Sequence, residues 1–303
     1  MSFDMTVEEH NRITFRDQVT LAYQQLSSRL RDKVDEFPAE GETNMDVDVI
    51  MSVEAQEMQG RIQPNIDNPV KRERRWIILE DEIATGEPLP RMDRWRQAMN
   101  YESELMRMHM AAVNRKIDDR IIDAITGPAY TGKVATTPKT LGAGQTIDKS
   151  FGASDSGLTL AKIIRIREIF GLSEVDQDVE QVPCVAITWR QQTDLLGIDA
   201  AINKDKNDGS SPLTRGKVMH FMGLDFVLTN AIRPKEGEAT TRICPVWMPS
   251  NIGWGVWQDI QSDLWNDSSK RRVPTFEVSC NMSGVRRREE GVILVECHEA
   301  PAA

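Results

Sequence analysis

Apolar residues recur every three or four positions between Tyr101 and Thr126, which is the spacing of one face of an α-helix. Gly127 favours the left-handed conformation that ends helices, and Pro128 cannot continue one, so the pattern predicts a helix ending at Thr126. At about 1.5 Å per residue, this helix would be roughly 40 Å long. The spacing fits a long structural support and also an ordinary core helix. Its apolar positions are Met106, Met110, Val113, Ile117, Ile121 and Ile125.

A second helical stripe lies near the start of the chain. Thr14 is a suitable N-cap, Asp17 follows three residues later, and Pro38 ends the stripe. The apolar face is thin and residues 38–44 are polar, so we expect a helix that separates from the core and needs another chain or a distant surface to cover it. The stripe consists of Val19, Ala22, Leu26, Leu30, Val34 and Phe37.

From Met45 to Glu87 the pattern changes to an extended, alternating one. Two strand-like runs flank a Pro/Asn/Asp turn at residues 64–69, and the second run returns through Arg74 to Ile83. This arrangement predicts a β-hairpin. Large apolar residues are scarce near its tip, and an isolated hairpin is marginally stable in water, so we expect another surface to pack on it. A surface hairpin of a globular enzyme is the alternative.

The second half of the chain is rich in predicted strands. A helix with Asp155 or Ser156 as its cap carries Leu160, Ile163, Ile164, Ile166 and Phe170 and closes at Gly171, and a short helix covers Gln191 to Leu196. Together with the long helix, this composition indicates an α+β fold. Strands are predicted at residues 182–188, 218–222, 224–229, 242–247, 252–257, 275–281 and 291–297.

Length and charge narrow the class of protein. The chain has 303 residues and a net charge of −10, which does not suit a basic nucleic-acid-binding protein. It has no apolar run long enough to cross a bilayer and no signal-like start, so we expect it to be neither membrane-embedded nor secreted by that route. Four cysteines without a CxxC pair favour a reducing cytoplasm.

Basic residues nevertheless form three clusters, at residues 71–75, 270–272 and 286–288. A charge run is usually a solvated face. The sharper hypothesis is that these clusters complement acidic patches, such as residues 80–82, on neighbouring copies. The candidate assembly residues are therefore Arg61, Lys71, Arg72, Arg74, Arg75, Glu80, Asp81 and Glu82.

Candidate catalytic chemistry is weak. Residues 127–133 have the spacing of a phosphate-binding loop, but Val134 replaces the hydroxyl residue that would hold magnesium, and the motif follows a helix. The four histidines are scattered without metal-ligand spacing, and an ion pair from Arg115 to Asp119 explains the Asp118-Asp119 doublet. We therefore assign no catalytic, cofactor-binding or metal-binding residue. A tryptophan cluster at Trp247, Trp254, Trp257 and Trp265 contains no basic residue, which favours core or subunit-contact packing over base stacking.

The order of these parts resembles the major capsid protein of tailed bacteriophages, whose shell fold is shared with herpesvirus capsids. Residues 115–132 are similar to the end of the spine helix in one phage capsid group. Residues 223–230 resemble a strand of the A domain. Residues 283–286, followed by Gly291-Val292, resemble the closing strands of the P domain.

This resemblance implies a tailed-phage major capsid fold with an N-arm at 1–44, an E-loop hairpin at 45–92, a P domain with its spine helix at 93–155, a strand-rich A domain at 156–272 and closing P-domain strands at 273–303. It implies a homo-oligomer of hexamers and pentamers that forms an icosahedral head around double-stranded DNA without sequence-specific binding. Scaffolding, portal and cement proteins are the further partners that it suggests, and a fused scaffolding segment is expected to be absent or removed. We expect a virion protein that assembles in the cytoplasm of the bacterial host, without a membrane, a cofactor or enzymatic activity.

Two other classes of protein remain open at this point. One is a cytoplasmic α+β enzyme with an active site between the strand-rich half and the long helix. The other is a tail or portal component. A capsid protein would form very large particles, an enzyme a small oligomer, and a tail or portal protein tubes or rings.

Overall fold

The computed structural model describes most of the chain, in several segments. The described residues are 24–51, 69–88, 102–175, 181–198, 201, 216–267, 269 and 273–299.

Three α-helices lie in these segments: α1 (Glu102–Thr126), α2 (Leu160–Leu172) and α3 (Trp189–Leu196). The long helix predicted from the apolar spacing is confirmed as α1, apart from Tyr101, which lies outside the described residues. The amide of Gly127 donates to the carbonyl of Asp123 at 2.7 Å, so the helix ends where the Gly-Pro pair predicts. Short 3₁₀ turns occupy Arg31–Lys33, Ala143–Gln145 and Pro249–Asn251.

The caps of the two shorter helices come from threonines. The predicted cap of α2 at Asp155 or Ser156 is wrong, because the hydroxyl of Thr159 accepts the hydrogen bond from the amide of Lys162. Thr159 has an extended backbone and the helix begins at Leu160, so Asp155 and Ser156 lie outside the first helical turn. Helix α3 begins after Thr188, which forms a capping box with Gln191.

The strands confirm the predicted strand-rich second half. In chain order they are β1 (Asp35–Pro38), β2 (Thr43–Ile50), β3 (Arg72–Ile78), β4 (Ile83–Pro88), β5 (Ala129–Thr131), β6 (Thr137–Lys139), β7 (Thr146–Ile147), β8 (Cys184–Ile187), β9 (His220–Phe221), β10 (Leu224–Leu228), β11 (Pro234–Lys235), β12 (Glu238–Trp247), β13 (Ile252–Asp267), β14 (Val273–Arg286) and β15 (Val292–His298).

The strands form three sheets. The first has the order β1-β13-β14-β4, and α1 packs on β14. The second has the order β7-β15-β12-β8-β10-β9, with β11 paired to β12, and the third has the order β2-β3-β5-β6. Strand β13 pairs with β14 in the first sheet, whereas β12 pairs with β15 in the second. Each of these two sheets therefore contains strands from both sides of residue 272.

The burial of the apolar face of α1 changes along the helix. Val113, Ile117 and Ile121 are fully buried in the main core, whereas Met106 and Met110 near the start are 37% and 38% exposed. Trp247 and Trp254 lie in the same core, as their predicted packing role requires, and Trp265 is 47% exposed. The described helices include none that is both long enough and apolar enough to span a bilayer.

The helix predicted from Thr14 to Phe37 is wrong over residues 24–37. This segment contains the Arg31–Lys33 turn and β1, which runs parallel to β13, because pairing with a long central strand outweighs a weak helical stripe. Leu30 is fully buried in the main core, so this part of the segment is covered by its own chain. Residues 14–23 lie outside the described residues.

Asp118 holds this N-terminal segment to α1. Its carboxylate accepts hydrogen bonds from the amides of Arg29 and Leu30 and from the hydroxyl of Ser28. Arg115 donates to the side chain of Gln24 at 2.9 Å and to the carbonyl of Gln25, not to Asp119. The predicted ion pair between Arg115 and Asp119 is therefore wrong. Arg115 and Asp118 both bind residues of the N-terminal segment, about ninety positions earlier in the sequence.

The four cysteines are buried and unpaired. Burial raises the pKa of Cys184 and of Cys280 to about 11, so both thiols are protonated at neutral pH. A protonated, inaccessible thiol is a packing residue and a poor nucleophile.

Candidate assembly interface

The predicted hairpin is present as the antiparallel pair β2–β3. Thr43 lies opposite Ile78 and Ile50 lies opposite Arg72, with a bulge between Met45 and Val47. We call the Thr43/Ile78 end the base and the Ile50/Arg72 end the distal end. The predicted turn, except for Pro69, and the candidate residue Arg61 lie outside the described residues. The predicted return strand to Ile83 is wrong beyond Ile78, because β4 pairs with β14 instead.

Alternation along β3 divides the basic run between two faces. Arg72 and Arg74 are exposed, whereas Glu73 is partly buried and Arg75 is buried, as the two-residue period of a strand requires. Lys71, just before the strand, is also exposed. The run is therefore not a single basic surface.

Arg75 must be removed from the candidate assembly residues, because its side chain is only 1% exposed. Its guanidinium lies 2.9 Å from Glu73 and 2.9 Å from Glu289, and its Nε donates to the carbonyl of Arg287 at 2.7 Å. A buried cation needs such partners to offset the loss of water. Arg75 is thus fully used inside its own subunit.

Lys139, on β6, completes this ion cluster. Its ammonium lies 2.9 Å from Glu73 and 3.0 Å from Glu289, so two cations face two carboxylates. Burial alone would raise the pKa of Glu73, but the hydrogen bond from Lys139 and the charge of Arg75 outweigh it and lower that pKa. We call Glu73, Arg75, Lys139 and Glu289 the first ion cluster.

A second ion cluster joins β2 and β1 to the end of β14. Arg287 donates from Nε and Nη2 to the two carboxylate oxygens of Asp46, at 2.7 and 2.8 Å, and its Nη1 donates to Asp35. The side chain of Asp46 is 2% exposed. Burial alone would lower the pKa of Arg287, but the hydrogen bonds to Asp46 and Asp35 outweigh it and raise that pKa. This bidentate contact fixes orientation as well as distance.

Two glycines of β13 make room for the base. A Cβ atom on Gly253 would lie 2.4 Å from a carboxylate oxygen of Asp46, and one on Gly255 would lie 2.8 Å from the Cδ1 of Ile77. Ile77 belongs to a small core of its own, with Ala129 and Val285 and with Phe37 and Trp257 packed against it. The base of the hairpin is therefore packed directly on the first sheet.

Two of the three arginines in the basic cluster at residues 286–288, Arg286 and Arg287, bind groups inside the subunit. Arg286 is fully buried and donates to the carbonyls of Ile125 and Gly127, at 2.9 and 2.7 Å, and to that of Lys139. The carbonyls of Ile125 and Gly127 lie at the end of α1, where carbonyls lack helical partners and a cation is favourable, and that of Lys139 lies on β6. The hypothesis that the cluster faces a neighbouring copy is therefore wrong for Arg286 and Arg287, and it stays a prediction for Arg288, which is exposed. Residues 270–272 lie outside the described residues.

The acidic run at residues 80–82 lies in the connection from β3 to β4. Glu80 forms an ion pair with Arg120 at 3.2 Å and accepts from the hydroxyl of Ser283. The carbonyl of Asp81 also accepts from Arg120. The side chains of Asp81 and Glu82 are exposed. The run is at the base end of the hairpin and is partly engaged with α1.

The distal end is different, because its exposed side chains combine charge with apolar area. Ile50, Met51 and Val70 are 56%, 42% and 43% exposed. The exposed cations lie beside them, and Arg74 is 4.0 Å from Asp48. We call this set the distal surface. It consists of Ile50, Met51, Val70, Lys71, Arg72 and Arg74.

A second exposed apolar region lies at the start of α1. Leu264, Phe276 and Glu87 lie opposite one another across β13, β14 and β4. With Leu105, Met106 and His109 of α1 they line an apolar groove of about 100 Å³. Leu264 is 62% exposed, and the carboxylate of Glu87 lies at the edge, 3.8 Å from His109. This apolar groove is a concave surface with an acidic rim.

Comparisons with known proteins agree with this architecture. Residues 7–299 match the family model described as phage capsid protein. No match was found among curated proteins. The fold is similar to the Cyanophage Pam1 capsid asymmetric unit, with a TM-score of 0.74 and 11% identity over 99% of this chain and 100% of that one. It is also similar to the capsid structure of Cyanophage P-SCSP1u (TM-score 0.73, 14% identity, 97% and 95% of the two chains) and to Mycobacterium phage Adephagia (TM-score 0.68, 16% identity, 98% of each).

A subunit with an α+β body, a long helix and a projecting hairpin is thus of the class that builds virus shells. Because the family model covers nearly the whole chain, the chain belongs to the phage capsid protein family. Its function is structural: it is a major capsid protein, a repeated subunit of a phage head and a component of the virion.

Proposed function

We propose that the chain assembles into hexamers and pentamers of an icosahedral head around double-stranded DNA, and that the distal surface contacts the neighbouring subunit. The observation that carries the proposal is the exposed side-chain set on the distal surface. It places three apolar residues beside three cations at the end of a two-stranded ribbon. Such a ribbon is marginally stable alone, and contiguous exposed apolar residues are typical of protein interfaces.

The apolar groove is the surface that we propose receives it on the neighbouring copy. The groove offers apolar side chains from α1 and β13 and the carboxylate of Glu87. The distal surface offers apolar side chains and the cations Lys71, Arg72 and Arg74. Two different, complementary patches on one chain produce a head-to-tail contact, which closes into a ring when the rotation between copies is suitable.

The domain names follow from the same proposal. The hairpin is the E-loop, α1 is the spine helix, the first sheet belongs to the P domain, and the second sheet with α2 and α3 forms the A domain. Under these assignments β13, which precedes residue 272, belongs to the P domain, and β15, which follows residue 272, belongs to the A domain. The proposed boundary between the two domains is therefore not a single position in the sequence.

The negative net charge favours a shell that encloses DNA without binding it tightly. A subunit with a charge of −10 repels the phosphate backbone, so DNA would be held without a sequence-specific contact. We place assembly in the bacterial cytoplasm, with scaffolding, portal and cement proteins as candidate partners, and we assign the chain no catalytic role.

A charge reversal on the distal surface tests the proposal. The subunit carrying Arg72→Glu and Arg74→Glu is expected to fold and to remain unassembled, because the reversed charges repel the acidic rim of the groove. The matched control, Arg72→Lys with Arg74→Lys, keeps both charges and is expected to form shells. Sedimentation and electron microscopy measure particle size, and circular dichroism checks the fold. Shells of normal size from the glutamate variant would contradict the proposal.

A further inference from the structure

We infer that residues 286–291, which comprise the last residue of β14 and the turn to β15, are a positioning element that fixes the direction of the hairpin relative to the body of the subunit; we call this segment the turn. The inference concerns the isolated subunit. Its consequence for the shell rests on the proposed function, since a hairpin that points in a variable direction would present the distal surface in a variable position.

The turn is itself fixed to the body by Asn251. The amide of Arg288 donates to the side-chain oxygen of Asn251 at 2.9 Å, and the side-chain nitrogen of Asn251 donates back to the carbonyl of Arg288 at 2.8 Å. The amide of Arg287 donates to the carbonyl of Asn251 at 2.8 Å. A Cβ atom on Gly291 would lie 2.6 Å from the Asn251 side chain, so the backbone approaches closely.

Arg286 adds a second anchor. Its guanidinium binds two carbonyls at the end of α1, so the turn cannot move without breaking the cap of the longest described helix. The turn is therefore held from two sides, by the Pro249–Asn251 turn and by α1.

From this fixed position the turn reaches both strands of the hairpin. Glu289 binds Arg75 of β3 with both carboxylate oxygens, at 2.9 Å each, and Arg287 binds Asp46 of β2 with two nitrogens. One turn thus holds two strands through two separate charged contacts, and each contact is largely buried. Two attachment points resist rotation of the hairpin, which a single point would allow.

The apolar contact at the base cannot supply this direction alone. The small core contains only Ile77, Ala129 and Val285 as buried members among the described residues. Apolar contact is non-directional, so a cluster of this size tolerates sliding, whereas the bidentate Arg287–Asp46 pair specifies an angle. The small core and the short pairing of β3 with β5, at Arg75–Thr131 and Trp76–Tyr130, hold the base close to the body, and the ion pairs add the angular restraint.

A double neutralisation separates a positioning role from a merely structural one. Arg287→Gln alone leaves the buried carboxylate of Asp46 without its cation, and Asp46→Asn alone leaves the largely buried Arg287 with only the exposed Asp35 as a charged partner. Both single variants are expected to destabilise the subunit. The pair Asp46→Asn with Arg287→Gln leaves no buried charge unpaired, because Asp35, the other partner of Arg287, is 51% exposed and remains hydrated. Global stability is therefore expected to recover. A direction-setting contact, however, is still missing from the double variant.

The measurement is amide hydrogen exchange of the soluble subunit, with electron microscopy of the shells. In the double variant, amides of β2 and β3 are expected to exchange at least about tenfold faster, while β13 and β14 keep their protection. Shell diameters are expected to spread. Arg287→Lys, which keeps a cation but loses the bidentate geometry, is expected to fold and to show intermediate exchange.

Unchanged exchange of β2 and β3 in both the double variant and Arg287→Lys would overturn the inference. Faster hairpin exchange with shells of normal, uniform diameter would support the positioning role and would instead overturn the proposed contact at the distal surface. Hydrogen exchange therefore tests the positioning role, and the diameter of the shells tests the proposed contact at the distal surface.

Discussion

The two parts of one hairpin differ in side-chain burial and in the pairing of their charges. On the inner face of the hairpin, between its midpoint and its base, Asp46 and Arg75 are almost completely buried and each is bound by an oppositely charged partner. At the distal end, Arg72 and Arg74 are exposed beside exposed apolar side chains. Arg74 and Arg75 are adjacent in sequence, so the face of the strand, and not the residue type, determines whether an arginine stabilises the subunit or is available to a neighbour.

This difference in burial suits a hairpin that takes part in assembly. A firmly held base gives the distal surface a defined position before a neighbouring subunit binds, and this preorganisation reduces the conformational entropy lost on binding. An exposed end leaves charge and apolar area free for the contact itself. The following predictions test whether the two ends have these separate roles.

The largest expected effect is at Arg75. Replacing it with methionine leaves Glu73 and Glu289 facing a single cation in a largely buried site, and we expect a loss of about 3–5 kcal/mol in the free energy of unfolding. Arg74→Met, one residue earlier, is expected to change it by about 0.5 kcal/mol or less, because that side chain is half exposed. Urea denaturation of the soluble subunits measures both. Equal losses would remove the distinction between the two faces of β3.

A smaller effect is expected at Gly253. In Gly253→Ala the new methyl group would overlap the Asp46 carboxylate, so the base must shift, and we expect a loss of about 1–3 kcal/mol. Gly144→Ala is the matched control, because no atom lies within 4 Å of its added Cβ. Thermal unfolding of both variants gives the comparison. A Gly253→Ala subunit as stable as the control would show that the base is not tightly packed.

The mildest test is the response to acid. The pKa of Glu73 is lowered in the folded subunit from its usual value of 4.5, so the folded state binds this proton less readily than the unfolded state. Its contribution to stability is therefore complete above about pH 4.5 and is lost as the pH falls through the folded pKa.

Stability measured from pH 6 down to about pH 3 checks this response. Glu73→Gln is expected to flatten the acid-induced loss, whereas Glu82→Gln, at an exposed position, is expected to leave it unchanged. A Glu73→Gln curve that coincides with that of the original subunit would exclude a role for this carboxylate in the first ion cluster.

Local signals in the sequence predicted the parts of the fold that depend on nearby residues. The spacing of apolar residues and the Gly127-Pro128 stop identified α1, and runs of β-branched residues identified the strands of the second half. The segment at residues 24–37 could not be predicted in this way, because β1 is stabilised by β13, more than two hundred residues later. A thin apolar stripe fits a helix and a partly buried strand almost equally.

The candidate site was predicted only in part for a related reason. The basic run located the hairpin strand, but the face that Arg75 occupies depends on Glu289 and Lys139, which are distant in sequence. Asp46 and the glycines of β13 were missed entirely, and Arg287 was identified only as part of a basic cluster expected to face a neighbouring copy. The signal that could have found them is two glycines, Gly253 and Gly255, alternating within a predicted strand, since glycine in a strand often marks a close approach of another segment.

The most direct test of the central claim, contact between the distal surface and a neighbour's groove, is cross-linking within assembled shells. Shells are formed from a mixture of isotopically light and heavy subunits and treated with a zero-length carbodiimide, which joins a lysine to a carboxylate in contact. We predict a link between Lys71 and Glu87 in which light and heavy peptides are mixed, since the two residues then belong to different copies. Links of Lys71 that are always between peptides of the same isotope, or no Lys71 link to the groove, would contradict the account.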